Sequence, residues 1–318
     1  MRAIKTAVIG TGYLGKFHVE KFAALPQSNL HAICDINETH ALELSKKFNV
    51  TLTEDYRSLI GTVDAVSIAT PTPSHFEIAQ FFLSNGVHVF VEKPVTIHVH
   101  EAEQLITLAK KNNLIMQVGH VERFNPAFQF IYPMLTMPRF IESQRLTSFK
   151  LRGSDVSVIL DLMIHDIDLV LAMTKASVSD IRATGASVLT PFIDIANARI
   201  EFENGCVASL TASRINTHAS RRIRVFQTDC YLYADLQKNI CRVRKKTHTE
   251  MFPGVPNIVG EEHFLEKGDA LKSEMRAFLD SIITHTPPAV NGVAARDALS
   301  IALKITDIVN QNNNNKDI

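Results

Sequence analysis

Ala7-Val8-Ile9-Gly10-Thr11-Gly12-Tyr13-Leu14-Gly15, with Asp35 twenty residues past the last glycine, is the stretch that decides the fold of this 318-residue chain. An apolar strand enters a glycine turn, a helix follows, and a second strand ends in a carboxylate. Together these make the dinucleotide-binding fingerprint in its βαβ setting. Gly10 permits the tight turn, Gly12 lets the backbone approach a pyrophosphate, and Gly15 lets the helix lie close to the strand. The helix N-terminus offers N–H groups to the phosphates. Gly10, Thr11, Gly12, Tyr13, Leu14 and Gly15 are therefore the expected phosphate-binding run. A carboxylate at Asp35 accepts hydrogen bonds from the adenosine ribose and repels a 2′-phosphate. Ile36, Asn37 and Glu38 add no Arg or Lys to neutralise one. The expected cofactor is NAD, not NADP.

Outward from this stretch, the first 120 residues alternate strand and helix. Strands are expected at 4–9, 30–34, 65–69, 88–91 and 115–118, with 65–69 as the third in order. Helices are expected at 14–24, 38–48, 74–85 and 100–112. Ser74 reads as an N-cap, with Glu77 completing a capping box. Apolar strands joined by helices predict a parallel sheet covered on both faces. From about 140 to 250 the pattern turns to β-branched, alternating runs at 195–202, 206–212 and 223–226. Asn204-Gly205 reads as a hairpin turn between two of them. One long helix, roughly 157–173, interrupts the strands, so an antiparallel sheet with helices on one face is expected. Residues 269–310 return to helix, broken at Pro287-Pro288. The polar tail, 310–318, is expected to fray.

Lys plus Arg and Asp plus Glu balance at 33 each. Nucleic-acid and anionic-membrane partners usually demand a basic excess, so neither is expected. No apolar run reaches the length of a membrane span. Two basic clusters, Arg221-Arg222-Ile223-Arg224 and Arg242-Val243-Arg244-Lys245-Lys246, fit solvated strand faces or the neighbourhood of a diphosphate-bearing substrate. Cys34, Cys206, Cys230 and Cys241 lack CxxC spacing and read as reduced thiols. With the N-terminus entering a strand directly, they point to a cytoplasmic protein.

Three motifs carry chemistry. Thr70-Pro71-Thr72-Pro73-Ser74-His75 follows a strand, at the sheet edge where open α/β folds bind ligands. Thr70, Pro71 and His75 are expected beside the cofactor, although an ordinary strand-to-helix turn would show the same pattern. Glu92-Lys93-Pro94 ends the next strand and pins a lysine in the same crevice. A nearby nicotinamide cation would lower the lysine pKa and favour a hydrogen bond to a substrate hydroxyl. Asp161, His165 and Asp168 stand at i, i+4 and i+7, on one face of the long helix. A histidine with a carboxylate one turn away can act as a general base. A buried His–Asp pair that only stabilises the helix has the same spacing. A metal would need further ligands, such as His120, and none is expected.

These motifs resemble the glucose–fructose oxidoreductase/inositol dehydrogenase/MocA family in order and spacing, across essentially the whole chain. The resemblance implies an α/β Rossmann domain with a parallel sheet, followed by an α+β domain with a large, mostly antiparallel sheet. The domains would span 1–120 and 121–318, with the C-terminal helices packing back on the first. It also implies NAD as cofactor, with Lys93, Asp161 and His165 around the substrate carbon that faces the nicotinamide. Homodimers or homotetramers built on the large sheet are implied as well. Gly119-His120-Val121-Glu122-Arg123-Phe124-Asn125-Pro126-Ala127 looks like the members that oxidise C3 of UDP-N-acetylglucosamine or a related UDP-sugar. Those supply a 3-keto sugar to an aminotransferase, in amino-sugar synthesis for lipid A or polysaccharide. Arg123 and Asn125 would then contact substrate, although Asn125 also suits the cap of the next helix. A dehydrogenase of a free polyol such as myo-inositol, and a non-catalytic NAD-binding regulator, are the alternatives.

Overall fold

The computed structural model describes residues 2–151 and 153–314. The chain forms two compact units, Met1–Phe124 with Asp269–Asp297, and Asn125–Gly268 with Ala298–Ile318. The first of these units runs on to Phe124 before the chain enters the second. Asn125 begins the second unit and caps the helix that follows it.

The first unit holds a six-stranded sheet of β1 (Ile4–Ile9), β2 (Ser28–Cys34), β3 (Thr51–Thr53), β4 (Ala65–Ile68), β5 (His88–Glu92) and β6 (Met116–Gly119). The order is β3-β2-β1-β4-β5-β6, and every neighbouring pair is parallel. Helices α1 (Gly15–Ala23), α2 (Glu38–Phe48), α3 (His75–Ser84) and α4 (Val99–Lys111) connect the strands. All of β4 and β6 is buried, as expected for strands covered on both faces. Helix α7 (Ala270–Thr284) joins this unit and contributes Met275, Phe278, Leu279 and Ile282 to a core with Val8, Val19, Phe22 and Phe90. Burying each such side chain stabilises the fold by about 1.5–3 kcal/mol. The strand order reverses between β1 and β4, so the loops after those strands flank the switch point where dinucleotides bind.

Two details differ from the sequence reading. The strand β3 was not expected, because Thr51-Leu52-Thr53 is too short and too exposed to show a period. The Ala65–Ile68 strand is therefore the fourth. Ser74 does not cap α3. A short 3-10 turn, Thr72–Ser74, leads straight into the helix and holds Ser74 in helical geometry, not the extended geometry of a cap. Its hydroxyl bonds to Thr70 Oγ1 and to the Pro71 carbonyl, both at 2.8 Å. Glu77 instead pairs with Arg57 and accepts from the Tyr56 hydroxyl, each at 2.9 Å.

The second unit starts with α5 (Pro126–Ile131) and is built on β7 (Phe140–Leu146), β8 (Val178–Ala186), β9 (Ile195–Phe202), β10 (Val207–Ser213), β11 (Ser220–Phe226), β12 (Cys230–Asp235), β13 (Ile240–Phe252) and β14 (Val255–Phe264). Their order is β14-β13-β12-β11-β7-β10-β9-β8. Only β7 and β10 pair in parallel. Gly205, at φ +79°, turns the expected hairpin between β9 and β10. One sheet face packs Ile141, Leu210, Ile223, Val225 and Val243 against Ile159, Met163, Ile164 and Ile167 of the long helix. That helix is not uniform. Ile159–Met163 is a π-helical turn, and α6 (Ile164–Thr174) continues it.

Arg222, Arg224 and Arg242 alternate with the core residues and lie on the opposite sheet face. They pair with Asp235 at 3.7 Å, Glu142 at 2.8 Å and Glu262 at 2.6 Å. Arg222, Arg224 and Arg242 are thus answered by carboxylates of other strands, which favours the solvated-face reading for these three over a diphosphate site. The last helix, α8 (Gly292–Asn314), passes from the first unit into the second, where Ala302, Ile305 and Val309 reach the core. It continues as helix to Asn314, beyond the expected onset of fraying, and Asn312 Nδ2 donates to the Ala183 carbonyl at 3.1 Å. The rest of the tail, 315–318, lies outside the described residues.

Candidate functional site

Close packing accounts for two of the three fingerprint glycines. A Cβ on Gly15 would sit 1.8 Å from the Gly10 carbonyl oxygen. Gly10 itself has φ +84°, and a Cβ there would strike Thr70 at 2.8 Å. Gly12 has nothing within 4 Å of that position. No protein neighbour demands this glycine, and the open space in front of it is what a pyrophosphate approach requires. Asp35 lies at the end of β2 and points back to the same loop. Its Oδ2 accepts from the Thr11 amide at 2.6 Å and the Thr11 hydroxyl at 2.7 Å, while Oδ1 accepts from the Asn37 amide at 2.8 Å. Tyr13 is 58% exposed and meets Phe17 edge-on. Leu14 precedes α1, which opens without a side-chain cap. These residues fit NAD: a carboxylate at a strand end, an uncluttered glycine and a helix N-terminus on one edge of the sheet.

The loop carrying Thr70 and Pro71 follows β4 on that same edge. His75 is 1% exposed, and its ring nitrogens lie 2.9 Å from the carbonyls of Pro94 and Thr70. Lys93 follows β5, and its amide donates to Glu92 Oε2 at 3.2 Å. Glu92 is buried, with His18 Nε2 3.0 Å from its Oε1. Ser67 Oγ lies 2.7 Å from the other His18 nitrogen. Burial alone would raise the Glu92 pKa, but the His18 bond and charge, with Lys93, outweigh it and hold the carboxyl below its ordinary range. A Cβ on Gly119 would lie 2.8 Å from the Glu92 carboxylate, so β6 approaches it closely. His18 and Ser67 are not picked out from the sequence, and Gly119 is read there only as part of the segment 119–127, not as a neighbour of Glu92. Each is far along the chain from Glu92, and none carries a local pattern.

Arg123 lies in a 3-10 turn, Val121–Phe124, in the first unit. Asn125, Asp161 and His165 belong to the second. Asn125 caps α5, its Oδ1 accepting from the Ala127 amide at 3.0 Å and its Nδ2 donating to the Leu236 carbonyl at 2.9 Å. Asp161 sits in the π turn and His165 in α6, both partly exposed, whereas Asp168 is 1% exposed. Gly153, at φ +77°, faces Asp161, and a Cβ there would lie 2.8 Å from Asp161 Oδ2. Arg214 holds this loop by donating to the carbonyls of Gly153 and Val156. Its Nε lies 3.7 Å from Asp194 Oδ1. Among the described residues, no group of three or more His, Cys, Asp or Glu could hold a metal ion.

Asp194 Oδ2 accepts the backbone N–H groups of Val188, Leu189 and Thr190. Burial pushes its pKa up, the three amides pull it further down, and the net value is below the ordinary one. A carboxyl with a folded-state pKa below its unfolded value stabilises fully above that unfolded value, about 3.9, and loses this as pH falls through the folded value. Asp194→Asn should therefore melt several degrees below wild type at neutral pH, with the gap narrowing below about pH 4. Thermal unfolding from neutral to acid pH reads this directly. A gap that stays constant would mean that the charge of Asp194 adds nothing.

Residues 4–120 match the family described as "Oxidoreductase family, NAD-binding Rossmann fold", and residues 137–232 match the GFO/IDH/MocA C-terminal domain. The chain is 39% identical to UDP-N-acetylglucosamine 3-dehydrogenase of Acidithiobacillus ferrooxidans, over 95% of this chain and 96% of that protein. A solved structure of that enzyme superposes with a TM-score of 0.91, covering 97% of this chain and 98% of the other. Scyllo-inositol 2-dehydrogenase (NAD(+)) of Bacillus subtilis is 23% identical, over 96% of this chain and 93% of its own. Scyllo-inositol dehydrogenase from Lactobacillus casei, solved with NAD(H) and scyllo-inositol, shares the fold at a TM-score of 0.82 and 21% identity, over 98% of each chain.

Proposed function

Because the chain belongs to the GFO/IDH/MocA oxidoreductase family, we propose that it oxidises C3 of UDP-N-acetylglucosamine or a related UDP-sugar to a 3-keto sugar nucleotide. It is an NAD-dependent dehydrogenase acting on CH–OH donors. The observation that carries the sugar assignment is the 39% identity to a UDP-N-acetylglucosamine 3-dehydrogenase along nearly the full length of both chains. NAD, when bound, supplies the hydride acceptor. His165 takes the hydroxyl proton, and Asp161 balances the charge that His165 then carries. Lys93 orients the hydroxyl and stabilises the developing oxygen charge. Gly10 to Gly15, Asp35, Thr70, Pro71, His75 and Glu92 form or support the cofactor side. Arg123 contacts substrate, and Asn125 acts chiefly through the helix it caps.

The product, a ketone, suits an aminotransferase as the next enzyme, on a route to amino sugars of lipid A or polysaccharide. Exposed Phe252, Val255, Ile258, Val259 and Phe264 on β13 and β14 support assembly as a homodimer or homotetramer. The four buried, free cysteines support a cytoplasmic setting. Among the described residues, no helix is long and apolar enough to cross a membrane.

The test is oxidation of UDP-N-acetylglucosamine with NAD⁺, followed at the nicotinamide absorbance, with an aminotransferase and glutamate to draw off the ketone. Turnover is the expected result. Turnover with myo-inositol or scyllo-inositol and none with the UDP-sugar would replace the substrate assignment with a polyol, in line with the more distant relatives.

A further inference from the structure

His75 opens α3 and reaches two loops, the farther of them 19 residues along the chain. Its Nδ1 lies 2.9 Å from the carbonyl oxygen of Pro94, next to Lys93. Its Nε2 lies 2.9 Å from the carbonyl oxygen of Thr70, in the loop after β4. The residue is 1% exposed, so water cannot readily replace either partner. Burial holds the imidazole pKa below its ordinary value, against the pull of the two carbonyls. A neutral ring carries one N–H and donates to one carbonyl at a time. The loops are therefore linked through a rigid ring whose proton location decides which carbonyl is bonded.

We propose that His75 is a positioning residue that ties the placement of Lys93 to the seating of the Thr70–Pro71 loop on the dinucleotide. The proposal rests on the reading of Lys93 as the group that orients substrate. When the cofactor fixes the Thr70 loop, the ring is held against Pro94, and the backbone that carries Lys93 is held with it. His75 thus works through two main-chain carbonyls and needs no contact of its own with cofactor or substrate.

Two conservative variants separate the two bonds. In His75→Asn the amide nitrogen falls near the position of Nδ1 and keeps the Pro94 bond. In His75→Gln it falls near Nε2 and keeps the Thr70 bond. The expected result is a crossed pattern. His75→Gln loses more turnover at saturating NAD⁺ than His75→Asn, and His75→Asn loses more NADH affinity than His75→Gln. Each difference should be about tenfold, the effect of one buried hydrogen bond. NADH fluorescence titration gives the affinity, and the sugar that wild type oxidises gives the turnover.

Parallel losses in both variants, or the reverse order, would overturn the proposal. Lys93→Met is measured beside them. If it is inactive while the histidine variants fall in parallel, only the role of His75 is lost. If it keeps turnover, the lysine reading fails and the proposal fails with it. A measurement on wild type does not depend on the variants folding. The ring ¹⁵N resonances of His75 should shift when NADH binds, and resonances that stay put would equally overturn the proposal.

Discussion

Lys93→Met should lower turnover by about a hundred- to ten-thousand-fold while leaving NADH binding in place. Methionine keeps an unbranched, flexible side chain and removes the ammonium. The backbone at this position is held by groups other than the lysine side chain. Glu92 is fixed by His18 at 3.0 Å, and the Pro94 carbonyl lies 2.9 Å from His75. The substitution therefore removes a charge and three donors without removing the supports. Lysine contributes where oxygen charge grows, so the loss should fall on turnover more than on ground-state binding. The chain has no Trp, so NADH emission can be followed without an intrinsic tryptophan signal. Near-wild-type turnover would remove Lys93 from the mechanism.

Arg145→Met should give the largest stability loss of the substitutions considered. Arg145 lies in β7 and Asp166 in α6, with side chains 3% and 4% exposed. Nε meets Asp166 Oδ2 at 2.7 Å, Nη2 meets Oδ1 at 3.0 Å, and Ser143 Oγ adds a third bond to Oδ1 at 2.9 Å. Removing the guanidinium strands a carboxylate away from water, at a cost of about 3–5 kcal/mol. The pair joins the large sheet to the helix one residue from His165, so the loss bears on the presentation of that histidine too. Denaturant unfolding measures the cost. Arg145→Met combined with Asp166→Leu should recover most of it, because an apolar pair carries no orphaned charge. A loss below about 1 kcal/mol in the single variant would mean that the carboxylate finds water or another partner.

The fingerprint was legible because its constraints are local. A tight turn, a close helix and a carboxylate at a strand end act over some 25 residues, and each limits residue type directly. The parallel sheet followed for the same reason, since β1, β4 and β5 read as short, mainly apolar runs between helices. The hairpin at Asn204-Gly205 and the Asn125 cap are likewise short-range devices. Where a local rule met a stronger neighbour it failed. Ser74 has the right residue type for a cap, but the 3-10 turn before it holds the wrong backbone geometry. The basic clusters read ambiguously because Glu142 and Glu262, the carboxylates that answer Arg224 and Arg242, come from other strands.

The amino-acid order therefore settled the Rossmann sheet, the preference for NAD and the presence of a second, antiparallel domain. Each follows from periodicity or from a motif confined to one βαβ unit. Tertiary structure alone decided how the chemistry-bearing residues are held. It placed Asp161 in a π turn against Gly153, paired Asp166 with Arg145, and enclosed Glu92 between His18 and Gly119. Apolar periodicity reports which face of an element is buried, but not its hydrogen-bond register. A buried charge is stable only beside its partner, and for Glu92 and Asp166 those partners arrive from strands and helices far along the chain.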